Sequence, residues 1–180
     1  VESKLSLNKI NIRGLNFLSD LYKDVDMNNS FIFTLNHDLV LETFFNENEI
    51  PFCDGFSDPI NNVRYWSPKI YNEYMDKIRF LKIHGSIDWY RLREDGSDWH
   101  DENICIVTDG NIHMSLNQKG NYQFSCDVSP QILVGTFNKL AEYTSGIFID
   151  LLCLFKKYLN ETDYLIISGY SFGDKGINSM

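Results

Sequence analysis

The chain has 180 residues, 43% hydrophobic and 14% aromatic, with 16 basic against 25 acidic side chains and a net charge of −9. That length supports one domain with a real core and is short for two, and the composition is that of a folded globular protein. The acidic balance excludes an extended nucleic-acid surface, which needs a basic stripe, but leaves room for a small anion held on backbone amides and helix N-termini.

Leu7, Ile10, Leu15, Leu18 and Leu21 predict an approximate helix over 5–22, weakened at Gly14. After a polar turn, Phe31-Ile32-Phe33 predicts a buried strand. Leu39, Leu41, Phe44 and Phe45 then predict a short helix that ends before Pro51. Residues 51–77 mix Pro, Gly, Asp, Asn and aromatics and read as an irregular insertion with one strand at 63–66. A second buried strand is predicted over 78–83, continued by another over 87–92. Residues 104–107 and 112–116 flank Asp109-Gly110-Asn111, the pattern of a hairpin.

Ile132-Leu133-Val134 predicts a third buried strand. Leu140, Tyr143, Ile147, Phe148, Leu151, Leu152, Phe155 and Leu159 mark one face of a helix, the strongest periodicity in the chain. Residues 164–167, Tyr-Leu-Ile-Ile, predict a fourth buried strand. Apolar strands alternating with helices predict an α/β fold with a mostly parallel sheet covered by helices on both faces. Residues 1–180 read as a single domain, incomplete at its N-terminus and part of a longer protein.

Cys53, Cys105, Cys126 and Cys153 are far apart and never form Cys-x-x-Cys, so neither a zinc site nor a disulfide framework is expected. The first residues lack an apolar secretory segment and no apolar stretch reaches the length of a membrane span. Reduced thiols in a cytoplasm, with no membrane partner, are the expectation.

The unusual polar residues fall at three predicted strand ends. Phe31-Ile32-Phe33 runs into Thr34-Leu35-Asn36-His37-Asp38, Phe80-Leu81-Lys82-Ile83 into His84-Gly85-Ser86, and Leu165-Ile166-Ile167 into Ser168-Gly169-Tyr170-Ser171. Open parallel sheets bind ligands beyond the carboxyl ends of their strands, so parallel strands would gather all three clusters at one crevice. There Asn36 can donate and accept, and His84 can act as a general base near neutral pH. Gly85 and Gly169 allow close backbone approach to a ligand, while Thr34 and Ser171 offer hydroxyls to ribose or phosphate oxygens. Asp38 is equally suited to capping the helix that follows it. His37 alternates away from Asn36 and Asp38, His100 and His113 sit in polar surroundings, and Trp89 and Tyr90 read as packing residues.

Thr34-Leu35-Asn36-His37-Asp38 resembles the Thr-x-Asn-x-Asp motif of sirtuin-type enzymes. Ile83-His84-Gly85-Ser86-Ile87-Asp88-Trp89 is similar to the segment carrying their catalytic histidine, and Gly169-Tyr170-Ser171-Phe172-Gly173-Asp174 to their late nucleotide-binding loop. The nearest likeness, over about 31–178, is to the zinc-less bacterial branch of anti-phage defence effectors, which hydrolyse NAD. The resemblance implies a Rossmann-like sheet and NAD as substrate, with no metal. It makes Asn36 and His84 the catalytic pair, and Thr34, Asp38, Gly169 and Ser171 nucleotide contacts. It also implies self-association, or an associated defence protein bound through regions outside this chain.

The family's Gly-rich phosphate loop precedes the Thr-x-Asn-x-Asp motif, yet residues 1–30 hold one glycine, Gly14. These 180 residues alone are therefore expected to bind NAD weakly and turn it over negligibly. Two other readings stand beside this one. A nucleotide-sensing module would keep the fold without turnover. A metallophosphoesterase would use Asn36-His37-Asp38 at a metal pair, but no histidine precedes His37 to complete the ligand set.

Overall fold

The computed structural model describes residues 12–15, 18, 22, 26–98, 102–108, 112, 114–127, 129–134 and 146–180. It is a mixed α/β fold with two sheets. The first has three parallel strands in the order β1-β4-β2, where β1 is Phe31–Thr34, β2 is Phe52–Cys53 and β4 is Ile78–Lys82. The second has five antiparallel strands in the order β3-β6-β5-β8-β7. These are β3 (Val63–Tyr65), β5 (Trp89–Glu94), β6 (Asn103–Val107), β7 (Ser115–Leu116) and β8 (Tyr122–Ser125).

The parallel sheet is covered on both faces, and its strands carry apolar residues toward each. Side chains alternate along a strand, so Ile32 and Phe80 point to one face and Phe31, Phe33, Leu81 and Ile83 to the other. Helix α1 (Val40–Glu47) covers the first face with Leu41, Phe44 and Phe45; the Phe45 and Phe80 rings meet edge-on at 5.6 Å. Helix α3 (Gly146–Glu161) covers the second with Ile147, Leu151, Phe155 and Tyr158, spaced as one helical face. Phe31 stacks on Tyr158 at 4.2 Å and Phe33 meets Phe155 edge-on at 4.7 Å.

The antiparallel sheet has a small core of its own at Val63, Leu92 and Cys105. It is tied to the first layer through Phe56, Trp66 and Trp89, and the Trp66 indole donates to Asp150 Oδ2 on α3 at 3.0 Å. Two short helices remain, α2 (Ile70–Glu73) and α4 (Lys175–Asn178). Among the described residues no helix is long and apolar enough to cross a membrane, and the four cysteines are free thiols.

The strands expected over 31–33, 63–66, 78–83, 87–92 and 104–107, and the helix after Asp38, are present within a residue or two. Four expectations need correction. The sheet is not mostly parallel: the insertion and its neighbours make a five-stranded antiparallel sheet, larger than the three-stranded parallel one, with the antiparallel neighbours β5–β6 and β7–β8 pairing from nearby in the chain. The strands on either side of residues 109–111 are not partners, since β6 pairs with β3 and β5, and β7 pairs with β8, a strand the apolar pattern did not mark. Residues 132–134 make a single bridge, Gly85 to Ile132, rather than a strand; Leu133 is buried but Val134 is exposed. Residues 164–167 are exposed and pair with no strand among the described residues. The expected N-terminal helix falls mostly outside the described residues, with a 3₁₀ turn at Ile12–Leu15, and 138–145 of the long helix fall outside them too.

Candidate functional site

Strands β1 and β4 run parallel with Thr34 opposite Lys82, so both chains leave the sheet at the same edge. The ladder extends one residue further, with Ile83 N–H donating to the Thr34 carbonyl at 2.9 Å. Two polar clusters, 34–38 and 84–86, thereby begin side by side.

In the first cluster the backbone turns sharply. Thr34 Oγ1 accepts from Asn36 N–H at 3.1 Å, and Asp38 Oδ1 accepts from Val40 N–H at 3.0 Å, tying up a free amide at the start of α1. Thr34, Asn36 and Asp38 line a cavity of about 320 Å³, with Glu42, Val40 and Leu41 of α1, Phe80 of β4, and Leu15. Its lining mixes apolar side chains with the carboxylates of Asp38 and Glu42. His37 is not among its lining residues; its ring centroid lies 6.1 Å from that of His84.

In the second cluster the His84 side chain is 5% exposed, with Nε2 3.1 Å from Asp174 Oδ2. The other oxygen of Asp174 accepts from Gly176 and Ile177 N–H at 2.9 and 3.1 Å, capping α4. One carboxylate thus caps a helix and pairs with an imidazole. Gly85 has φ +83°, and a Cβ there would lie 2.1 Å from the Gln131 carbonyl. Its glycine therefore serves the close approach of 131–133, which bond to this turn through Ser86 N–H to Gln131 O and Leu133 N–H to His84 O.

Below both clusters lies a buried charged group. Lys82, 3% exposed, meets Glu42 Oε1 at 2.7 Å. Burial raises the Glu42 carboxyl above its ordinary range, opposed by Lys82. Burial likewise raises Asp88, opposed by a Ser86 hydrogen bond and by Lys82. Among the described residues each acid leaves one buried oxygen, Glu42 Oε2 and Asp88 Oδ1, without a hydrogen-bond partner.

The third cluster stands apart. Gly169 and Ser171 are exposed and do not line the cavity, and Gly169 has φ +68° with open space where a Cβ would go. The structure therefore gathers Thr34, Asn36 and Asp38 around one cavity and sets His84 beside their loop. Segment 168–174 reaches the site through Asp174. Asp174 lies within the third motif without a role of its own there, and the motifs do not mark Lys82 or Glu42. The signal for Lys82 was there: a charge inside an apolar strand needs a partner.

A family model described as a SIR2-like domain matches residues 30–180, covering β1, β4 and all three clusters. The chain belongs to the SIR2-like domain family. Membership ties it to NAD-related function. No curated protein matches the chain. Among the described residues no group of three His, Cys, Asp or Glu side chains is gathered around a point where a metal could sit.

Proposed function

We propose that the SIR2-like domain hydrolyses NAD at the bond between nicotinamide and ribose, on a Rossmann-like sheet, as an effector of anti-phage defence in the cytoplasm. The observation that carries this reading is the parallel Thr34–Lys82 register, which sets the Asn36 loop and His84 side by side at the carboxyl edge of the sheet.

The chemistry is a displacement with oxocarbenium character at the ribose C1′. A water oxygen bonds to C1′ as the C1′–N bond breaks. Its electron pair goes to the pyridinium nitrogen, so neutral nicotinamide leaves, and the water proton passes to a base. Asn36, able to donate and accept, holds the attacking water or a ribose hydroxyl. His84 takes the proton. Asp174 beside Nε2 fixes the ring and stabilises the imidazolium that forms. Thr34 and Asp38 contact the nucleotide from the cavity, and Gly169 and Ser171 from the segment that Asp174 anchors. NAD is the substrate, and the residues assigned here need no metal.

The sensing reading keeps one supporting observation: His84 is nearly buried and does not line the cavity. Incubating the full-length protein with NAD separates the two. Hydrolysis releases nicotinamide and ADP-ribose in equal amounts, whereas a sensor binds NAD and returns it intact.

A further inference from the structure

Lys82 is the last residue of β4, and its side chain is 3% exposed. Taking an ammonium out of water costs several kcal/mol unless every donor is satisfied, and an apolar residue of similar length would pack there without that cost. Lys82 spends its donors on one neighbourhood. Nζ bonds to the Asp38 carbonyl, meets Glu42 Oε1 at 2.7 Å, and lies 3.5 Å from the His37 carbonyl. Two of these three acceptors are peptide oxygens of the loop between β1 and α1, and the third is in the first turn of α1.

The His37 carbonyl is also the anchor for the other cluster, accepting from Ile87 N–H at 3.0 Å and lying 3.4 Å from Ser86 Oγ. The peptide groups on both sides of Asp38, two residues beyond Asn36, are thus held by a single cation. No aromatic ring or aliphatic side chain could hold two carbonyls in this way.

We propose that Lys82 is a positioning residue for catalysis, setting the backbone of residues 36–38 so that Asn36 and Asp38 present to the substrate in register with His84. The proposal rests on the NAD-hydrolase reading. It assigns Lys82 no contact with substrate; the residue acts through the loop. Such a role alters turnover more than binding, because misplacing a group by about 1 Å can cost about 100-fold in rate.

The test compares full-length wild type with Lys82→Met, which keeps the aliphatic stem and removes the charge, and with Lys82→Arg, which keeps a charge and several donors. Nicotinamide release gives kcat and KM, and amide hydrogen exchange reads the loop directly. In Lys82→Met, kcat should fall about 100-fold with KM within about 3-fold, and Lys82→Arg should recover part of kcat. The Val40 and Ile87 amides, whose bonds depend on the loop, should exchange at least about 10-fold faster, with Leu81 in β4 unchanged. A folded Lys82→Met with wild-type kcat and wild-type exchange at Val40 and Ile87 overturns the proposal. So does a uniform rise in exchange that includes Leu81, which would make Lys82 a general stabiliser. If wild type releases no nicotinamide, the hydrolase reading fails, and exchange alone still decides whether Lys82 holds the loop. Should Lys82→Met not fold, Glu42→Gln carries the test. It removes the side-chain charge and spares the carbonyl bonds, so it should leave Val40 and Ile87 protected. Loss of that protection would assign the hold to the ion pair and reject the proposal.

Discussion

Residues 31–34 and 164–167 are alike on paper: each is four residues long, mostly apolar, and runs into a polar cluster. In the fold they differ completely. Residues 31–34 pair with β4 and pack between α1 and α3, whereas Tyr164, Leu165, Ile166 and Ile167 are 89, 58, 82 and 51% exposed and pair with nothing described. An apolar run specifies a strand only when a neighbouring strand and a covering layer are there to receive it, because both backbone and side chains need partners. The same difference separates the clusters that follow. One is built into the site from three sides, and the other reaches it through Asp174.

Substitutions sharpen this contrast, beginning with the largest effect. Phe80→Ala, at a residue 1% exposed between the Phe45 and Phe52 rings, should cost about 3–5 kcal/mol. Ile166→Thr should stay within about 0.5 kcal/mol, because the side chain is already in water. Urea unfolding of both variants checks the pair. A large loss at Ile166 would mean that 164–167 is packed in solution.

The glycines of the second and third clusters offer a finer comparison. Gly85→Ala meets a positive φ and a carbonyl 2.1 Å from the new Cβ, so a loss of about 2–4 kcal/mol is expected. Gly169→Ala meets only the positive φ, for about 1–2 kcal/mol. Equal midpoints in thermal unfolding would contradict the difference in crowding.

Asp174→Asn asks whether the bridge between the regions matters to function. Asn caps a helix about as well as Asp, so α4 should survive while His84 loses its carboxylate. Turnover by the full-length protein should fall about 10-fold. Unchanged turnover would leave Asp174 as a cap and nothing more.

The smallest effect concerns the buried acids. Burial holds Asp88 above the ordinary carboxylate range, opposed by Ser86 and Lys82 and reinforced by Asp54. Between the ordinary and the raised value the folded chain keeps a proton that the unfolded chain has released. Stability therefore falls as pH rises through that window and levels off above it. Asp88→Asn should flatten that slope while Glu42, shifted the same way, preserves part of it. Melting temperatures from about pH 4 to pH 8 measure both curves. An identical slope in wild type and variant would show that Asp88 is not the source.

Much of this was legible in the sequence because it is local. Phe31-Ile32-Phe33 and 78–83 announced strands, the first half-buried and the second buried, the spacing of Ile147, Leu151 and Phe155 a helix face, and Asp38 its bond to the start of α1. What escaped depends on partners distant in the chain. Nothing near 122–125 shows that this segment pairs with β5 and β7. Nothing near Gly85 shows that Gln131 will press against it. Asp174 meets His84 across 90 residues, and Lys82 meets Glu42 across 40, so both contacts exist only once the sheet has formed.

The central claim is that a SIR2-like domain built around Asn36 and His84 cleaves NAD, and nicotinamide release by the full-length protein tests it most directly. The measurement runs wild type beside His84→Ala and Asn36→Ala, with circular dichroism to confirm folding. The account predicts release by wild type and a drop of about 100- to 10,000-fold in each variant, the range for a lost positioned base. A folded His84→Ala that releases nicotinamide at the wild-type rate would contradict it.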